Sequence, residues 1–170
     1  QMLAGSMPAF IKEFIELAKK EGGHVYDALY ELSDPEIVQF YLDNIDYFDM
    51  VLANAGKDDA TNAPARAALR KKKAKVKDRF FDANGIGHNK SSVYVDKKKK
   101  PRRFMSGSIN RTATGLCTQS NNALQVISDE LAAYGLEYYK MLEADSQGGQ
   151  ALQSDAFRAA NGKRKKDVVL

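Results

Sequence analysis

An all-α fold is predicted from three observations. Apolar residues recur at 3,4 spacing in two long segments, strong helix formers fill the stretch between, and glycine pairs or helix-start residues bracket the periodic runs. The expected architecture is a bundle of four to six helices, with a core on segments 36–55 and 120–142 and a basic irregular arm near 84–110. One helical domain over 7–170 is expected, with 1–6 read as an expression remnant and 162–170 as a basic tail.

Each element has its own warrant. Phe10, Ile11, Phe14, Ile15 and Leu17 make a helical stripe over 9–21 that Gly22-Gly23 ends. Val25, Leu29 and Leu32 suggest a short second helix. Ser33-Asp34-Pro35-Glu36 reads as a helix start, Ser33 capping the amide of Glu36 and Pro35 sitting in the first turn. Val38, Tyr41, Ile45, Phe48, Leu52 and Ala55 then form a seam, with Asp43, Asp46 and Asp49 on the opposite face. From Pro64 to about Asp82, Ala, Leu, Lys and Arg favour a further helix on propensity alone. Ser91–Val95 could be one short strand, although no partner strand is visible, and the chain should be extended around Pro101. Leu124, Ile127, Leu131, Tyr134, Tyr138 and Met141 give the strongest helical seam, and a last short helix is expected at 152–160.

Charge is unevenly spread. Residues 1–60 hold twelve Asp/Glu against four Lys/Arg, and residues 61–110 hold fifteen Lys/Arg against three Asp/Glu. The formal net charge of +4 conceals this polarity, which marks the middle third as a docking surface for a polyanion or an acidic partner. The candidate nucleic-acid-binding residues are Arg70, Lys71, Lys72, Lys73, Lys75, Lys77, Arg79, Lys97, Lys98, Lys99, Lys100, Arg102, Arg103 and Phe104. Their cations would neutralise phosphates, and Phe104, with Phe80, Phe81 and Tyr94, would stack on bases. The acidic face at Asp43, Asp46 and Asp49 could mask the basic helix when no ligand is bound. KKKKPRR at 97–103 and KRKK at 163–166 also match short nuclear-import signals, a pattern of low specificity.

Signs of catalysis are sparse. The chain has one cysteine, Cys117, read as a small buried residue, and two distant histidines, His24 and His88, with no zinc spacing. Asn84–Ser91 ends in Lys-Ser, but asparagines occupy both glycine positions of a phosphate-binding loop. The turn beside His88 and Lys90 therefore offers at most a subsidiary phosphate contact, with its glycines read as a helix stop. No Ser/His/Asp or Cys/His signature appears.

The expected function is thus non-enzymatic nucleic-acid binding of the packaging or nucleoprotein type, with phosphate contacts dominating. The alternative is a helical protein-interaction module (adaptor, effector or structural subunit) docking an acidic protein or anionic membrane surface. No catalytic residue, metal or cofactor is expected. DNA, RNA or an acidic protein surface is the expected partner, with self-association into a homo-oligomer also open. No stretch is apolar enough to span a membrane and no signal peptide is visible, which fits a cytoplasmic, nuclear or nucleoid-associated protein.

Overall fold

The computed structural model describes residues 5–54, 59–80 and 87–144, and its centre is a β-sheet. The expected all-α bundle is therefore corrected to an α/β fold around six strands. Helix α1 spans Met7–Glu21, close to its expected limits. Ile11, Phe14, Ile15 and Ala18 form its buried stripe, and Gly22 ends it in the left-handed region at φ 76°, its amide bonded to the Ala18 carbonyl.

Strand β1, His24–Leu29, replaces the expected second helix. Helix α2, Pro35–Leu42, is capped by Asp34 rather than Ser33, the Asp34 carboxylate accepting from the Ile37 amide at 3.0 Å. The expected helix ends there: a 3₁₀ turn, Ile45–Tyr47, leads into β2, Phe48–Asn54. Met50 and Leu52 enter the large core on one face of β2, while Val51 packs on the other. A strand buried on both faces reads as a continuous apolar run, and its period cannot be told from a buried helix.

Helix α3, Ala63–Lys71, stops at the lysine turn, and β3 follows over Lys75–Phe80. The expected irregular arm is corrected to a hairpin, β4 at Lys90–Val95 and β5 at Pro101–Gly107. The strand expected at Ser91–Val95 is thus present, and it has two partners, β1 and β5. A short helix α4, Ala113–Cys117, is followed by β6, Ala123–Ile127, and α5, Asp129–Ala144. The expected 120–142 helix is corrected to this strand plus helix. The helix expected at 152–160 lies outside the described residues.

The strand order is β3-β2-β1-β4-β5-β6, with β1, β2 and β3 parallel and β4, β5 and β6 successively antiparallel. Helices α1, α2 and α3 contribute to the large core on one face of the sheet. Helix α5 packs on the other face through Ala132, Gly135, Tyr139 and Leu142. The carboxyl ends of β1, β2, β3 and β5 share one edge with the starts of β4 and β6. From β1 the chain first builds β2 and β3 on one side and later β4 on the other. That divergence makes the carboxyl end of β1 a topological switch point, the place where open α/β sheets form ligand crevices.

Candidate active site at the carboxyl end of β1

A buried polar cluster supports this edge from below. Asp27, on β1, is 1% exposed and pairs in register with Ser92 of β4. Its carboxylate accepts from the Tyr41 hydroxyl at 2.8 Å, from Arg111 Nη2 at 3.1 Å and from the Ser92 hydroxyl. Arg111 also donates to Ser92 Oγ at 2.8 Å, and its guanidinium lies 5.3 Å from the Tyr41 ring centre. The Arg111 main chain runs beside the end of β1, its amide donating to the Glu31 carbonyl and its carbonyl accepting from the amides of Ser33 and Asp34. Arg111 thereby pins the segment after β5, including Asn110, next to Tyr30 and Glu31.

Above this cluster stand His88 and Lys90, two residues apart where the chain enters β4. Alternation puts the Lys90 side chain on the same sheet face as Ser92. The Tyr30 ring serves both residues: His88 meets it edge-on with centres 4.6 Å apart, and the Lys90 ammonium lies 5.0 Å from its centre. Between them, Asn89 is held from α5 by the Tyr138 hydroxyl at 2.9 Å. His88 itself is exposed.

Two residues of one cavity, Lys90 and Arg111, each carry a buried polar atom without a hydrogen-bond partner, Nζ and Nη1, and so does Asn110, the residue before Arg111, at Oδ1. Native interiors leave few such groups, and their occurrence beside the switch point makes this cavity the candidate ligand site. Burial holds the Lys90 ammonium below the ordinary lysine range, and the Glu31 carboxylate opposes that shift. Lys90, Ser92, Ser106 and Arg111 line a cavity of about 20 Å³, room for a water or a single ligand atom. A cationic floor under an exposed imidazole suits an anion that reacts with nitrogen or exchanges a proton. Among the described residues, no group of three His, Cys, Asp or Glu side chains is placed to hold a metal ion.

The residues expected to bind nucleic acid lie elsewhere. Arg70 and Lys71 end α3, and Lys72 and Lys73 form the following turn. Lys75, Lys77 and Arg79 lie along β3, and Lys97, Lys98, Lys99 and Lys100 form the β4–β5 turn. Arg102, Arg103 and Phe104 belong to β5. The lysine turns sit at the opposite pole of the strands, about 20 Å from His88 for six residues at ~3.3 Å each. Several of the arginines are engaged internally: Arg70 with Asp78 at 2.8 Å, Arg102 with Asp96 at 2.8 Å and Asp129 at 2.6 Å, and Arg103 with Glu13 at 3.2 Å. Arg79 is buried, and Phe104 packs beneath Gly135 rather than facing solvent as a stacking platform. Asp49, from the acidic face, does meet a basic residue, Lys75, at 3.5 Å.

Sequence reasoning missed Tyr30, Asn110 and Arg111, and assigned His88 and Lys90 only a minor role. The available signal was His-x-Lys at the head of the strand-like segment Ser91–Val95, followed one strand later by Gly107-Ser108-Ile109-Asn110-Arg111.

No protein-family model matches this sequence, and no curated protein matches it. Solved structures do match in fold. A phospholipase D family member, Nuc from Salmonella typhimurium, superposes with a TM-score of 0.65 at 17% identity, over 83% of this chain and 89% of that one. NucT from Helicobacter pylori gives 0.57 at 13% identity, over 84% and 92%. Polyphosphate kinase from Porphyromonas gingivalis gives 0.62 at 11% identity, over 95% of this chain and 28% of the kinase. These likenesses establish the fold. A phospholipase D family member and a polyphosphate kinase are by name enzymes, and the expectation of a non-enzymatic binding protein is corrected against these names. The helical alternative falls with the bundle. Among the described residues no helix is long and apolar enough to cross a membrane.

Proposed function

We propose that this chain is an enzyme acting at phosphorus, cleaving phosphodiester bonds with nucleic acid as the substrate class. The observation that carries the reading is the pairing of an exposed His88 with the buried, unpartnered ammonium of Lys90 on one aromatic ring, at the switch point of the sheet. The names of the structural neighbours support it, since phospholipase D and polyphosphate kinase both denote chemistry at phosphate. Lys90 takes a non-bridging phosphoryl oxygen and stabilises the charge that grows on it as the phosphorus becomes five-coordinate. Arg111 Nη1, an unpartnered donor on the same cavity, offers a further contact to the phosphate, and Tyr30 holds lysine and imidazole in a common register.

His88 is the exposed nucleophile of this edge. Its neutral imidazole nitrogen attacks phosphorus, the P–N bond forms as the P–O bond to the leaving alcohol breaks, and the alkoxide takes a proton from solvent. Water then displaces the imidazole from phosphorus and restores the free side chain.

The experiment compares the protein with His88→Asn and Lys90→Met variants on bis(p-nitrophenyl) phosphate, single-stranded DNA and duplex DNA. Turnover that vanishes in His88→Asn, with phosphorus-31 signal trapped on histidine in a quenched wild-type reaction, supports the reading. Equal turnover in wild type and His88→Asn overturns it.

A further inference from the structure

The pole opposite His88 carries a second cationic feature with no part in the chemistry above. The β4–β5 turn presents Lys97, Lys98, Lys99 and Lys100 in succession, and Lys20 from the last turn of α1 faces it across an open groove of roughly 400 Å³. All five lysines are exposed, and none has an acidic side-chain partner among the described residues.

Both carboxylates of the groove are occupied. Glu21 accepts from the Tyr94 hydroxyl at 2.7 Å. Asp96 accepts from the amides of Lys98 and Lys100 at 2.8 and 3.0 Å, and from Arg102 Nε at 2.8 Å. The Asp96 bonds fix the turn while leaving its ammonium groups outward. Lys99 moreover holds the left-handed region at φ 62°, and so does Lys73 at φ 65° in the turn after α3 on the same pole. Glycine or asparagine suits that conformation better, so in both turns a cation stands where the backbone favours an uncharged residue.

We propose that this turn and Lys20 form a docking site for the phosphate backbone of duplex nucleic acid, separate from the catalytic edge. Charge complementarity selects a polyanion. Every residue lining the groove is charged and none is aromatic, so phosphates are contacted and unstacked bases have no platform. Duplex, with its bases turned inward, fits such a surface better than a single strand does. Asp43 and Asp46 are exposed ahead of β2, the strand that lies between β3 and β1, so acidic residues stand in the chain leading to the strand between the two lysine turns. The proposal concerns binding alone and holds whether or not His88 is the nucleophile.

The test measures binding of a 20-base-pair DNA duplex to the full chain carrying His88→Ala, by fluorescence anisotropy over a salt series. Replacing Lys97, Lys98, Lys99 and Lys100 together by Gln should weaken binding at least tenfold at low salt. It should also flatten the slope of log affinity against log salt by about 0.9 for each phosphate that is no longer neutralised. Lys99→Gly serves as a second variant: glycine accepts φ 62°, so the turn survives and only one charge is removed. Its slope should fall by about one such unit. An unchanged slope in both variants overturns the proposal. So does a weakening confined to single-stranded DNA, or to phosphatidylserine vesicles, with duplex binding intact.

Discussion

Asp27 and Arg111, 84 positions apart in sequence, meet at 3.1 Å beneath the candidate active site, with side chains only 1% and 6% exposed. The pair ties the central strand to the segment that carries Asn110. Because Arg111 also bonds through its main chain to Glu31, Ser33 and Asp34, one buried contact fixes both the floor and the rim of the crevice. A buried ion pair of this kind need not stabilise more than a well-packed apolar pair would, but half of it is costly to leave behind.

Asp27→Ala should therefore destabilise the protein by about 3–5 kcal/mol, since Arg111 is left charged and buried while Tyr41 and Ser92 lose their acceptor. Urea unfolding checks this. A destabilisation below about 1 kcal/mol would show that solvent replaces the carboxylate.

Lys90 sets an opposite pair of pH responses. Burial lowers its pKa from the ordinary 10.5. Between the lowered value and 10.5 the unfolded chain holds a proton that the folded chain has released, so this group's contribution to stability rises with pH through that window. Substrate binding runs the other way, because only the protonated amine pairs with phosphate. KM should accordingly rise on the alkaline side before the ordinary lysine range is reached. In Lys90→Arg the guanidinium stays protonated, so its KM should remain flat there. Lys90→Met should lower kcat/KM by about 10²–10³-fold. Parallel KM–pH profiles for wild type and Lys90→Arg would remove Lys90 from phosphate binding.

Local signals were legible where local physics decides the structure. The apolar stripe of α1, its glycine stop, the strand at Ser91–Val95 and the extended chain at Pro101 can all be read from neighbouring residues. The sheet could not be read in this way, because parallel pairing joins residues far apart and gives β2 an apolar run with no helix-excluding period. On α5 the helix was legible but its face was not. The buried stripe is Ala132, Gly135, Tyr139 and Leu142, one position along from the larger residues Leu131, Tyr134, Tyr138 and Met141. Small residues lie inward there because Phe104 and Val93 occupy the space. The candidate site was hidden for a related reason. Tyr30, His88, Lys90 and Asn110 come from three segments that only the sheet assembles, whereas the lysine runs are contiguous and dominate any reading by composition.

The 3,4 pattern placed Leu52 and Ile127 in the same helical core, and the structure separates them. Leu52 is fully buried in β2, while Ile127 is 73% exposed on edge strand β6. Leu52→Ala should cost about 2–5 kcal/mol. Ile127→Thr should stay within about 0.5 kcal/mol, because threonine keeps β-branching and the site is already in water. Denaturant midpoints distinguish the two, and comparable destabilisation in both would place β6 against a partner.

Gly115 gives the most direct test of how Asn110 and Arg111 are positioned. A helix interior ordinarily prefers alanine to glycine by ~1 kcal/mol, so local propensity alone would make Gly115→Ala stabilising in α4. The space says otherwise: a Cβ at this position would lie 2.4 Å from the Asn110 carbonyl oxygen and 3.1 Å from its Cβ. The closest obstacle is backbone and cannot rotate away, so the segment from Asn110 to Thr112 must shift. Overpacking of this kind costs about 1–3 kcal/mol, which outweighs the propensity gain. The shift displaces Arg111, which lines the same cavity as Lys90, and misplacing a positioning group by about 1 Å can cost on the order of 10²-fold in rate. Gly115→Ala should thus be folded, less stable, and depressed in kcat more than in KM. Gly115→Ala with wild-type kcat and a raised melting temperature would show that the loop yields freely and that the placement of Arg111 does not depend on it.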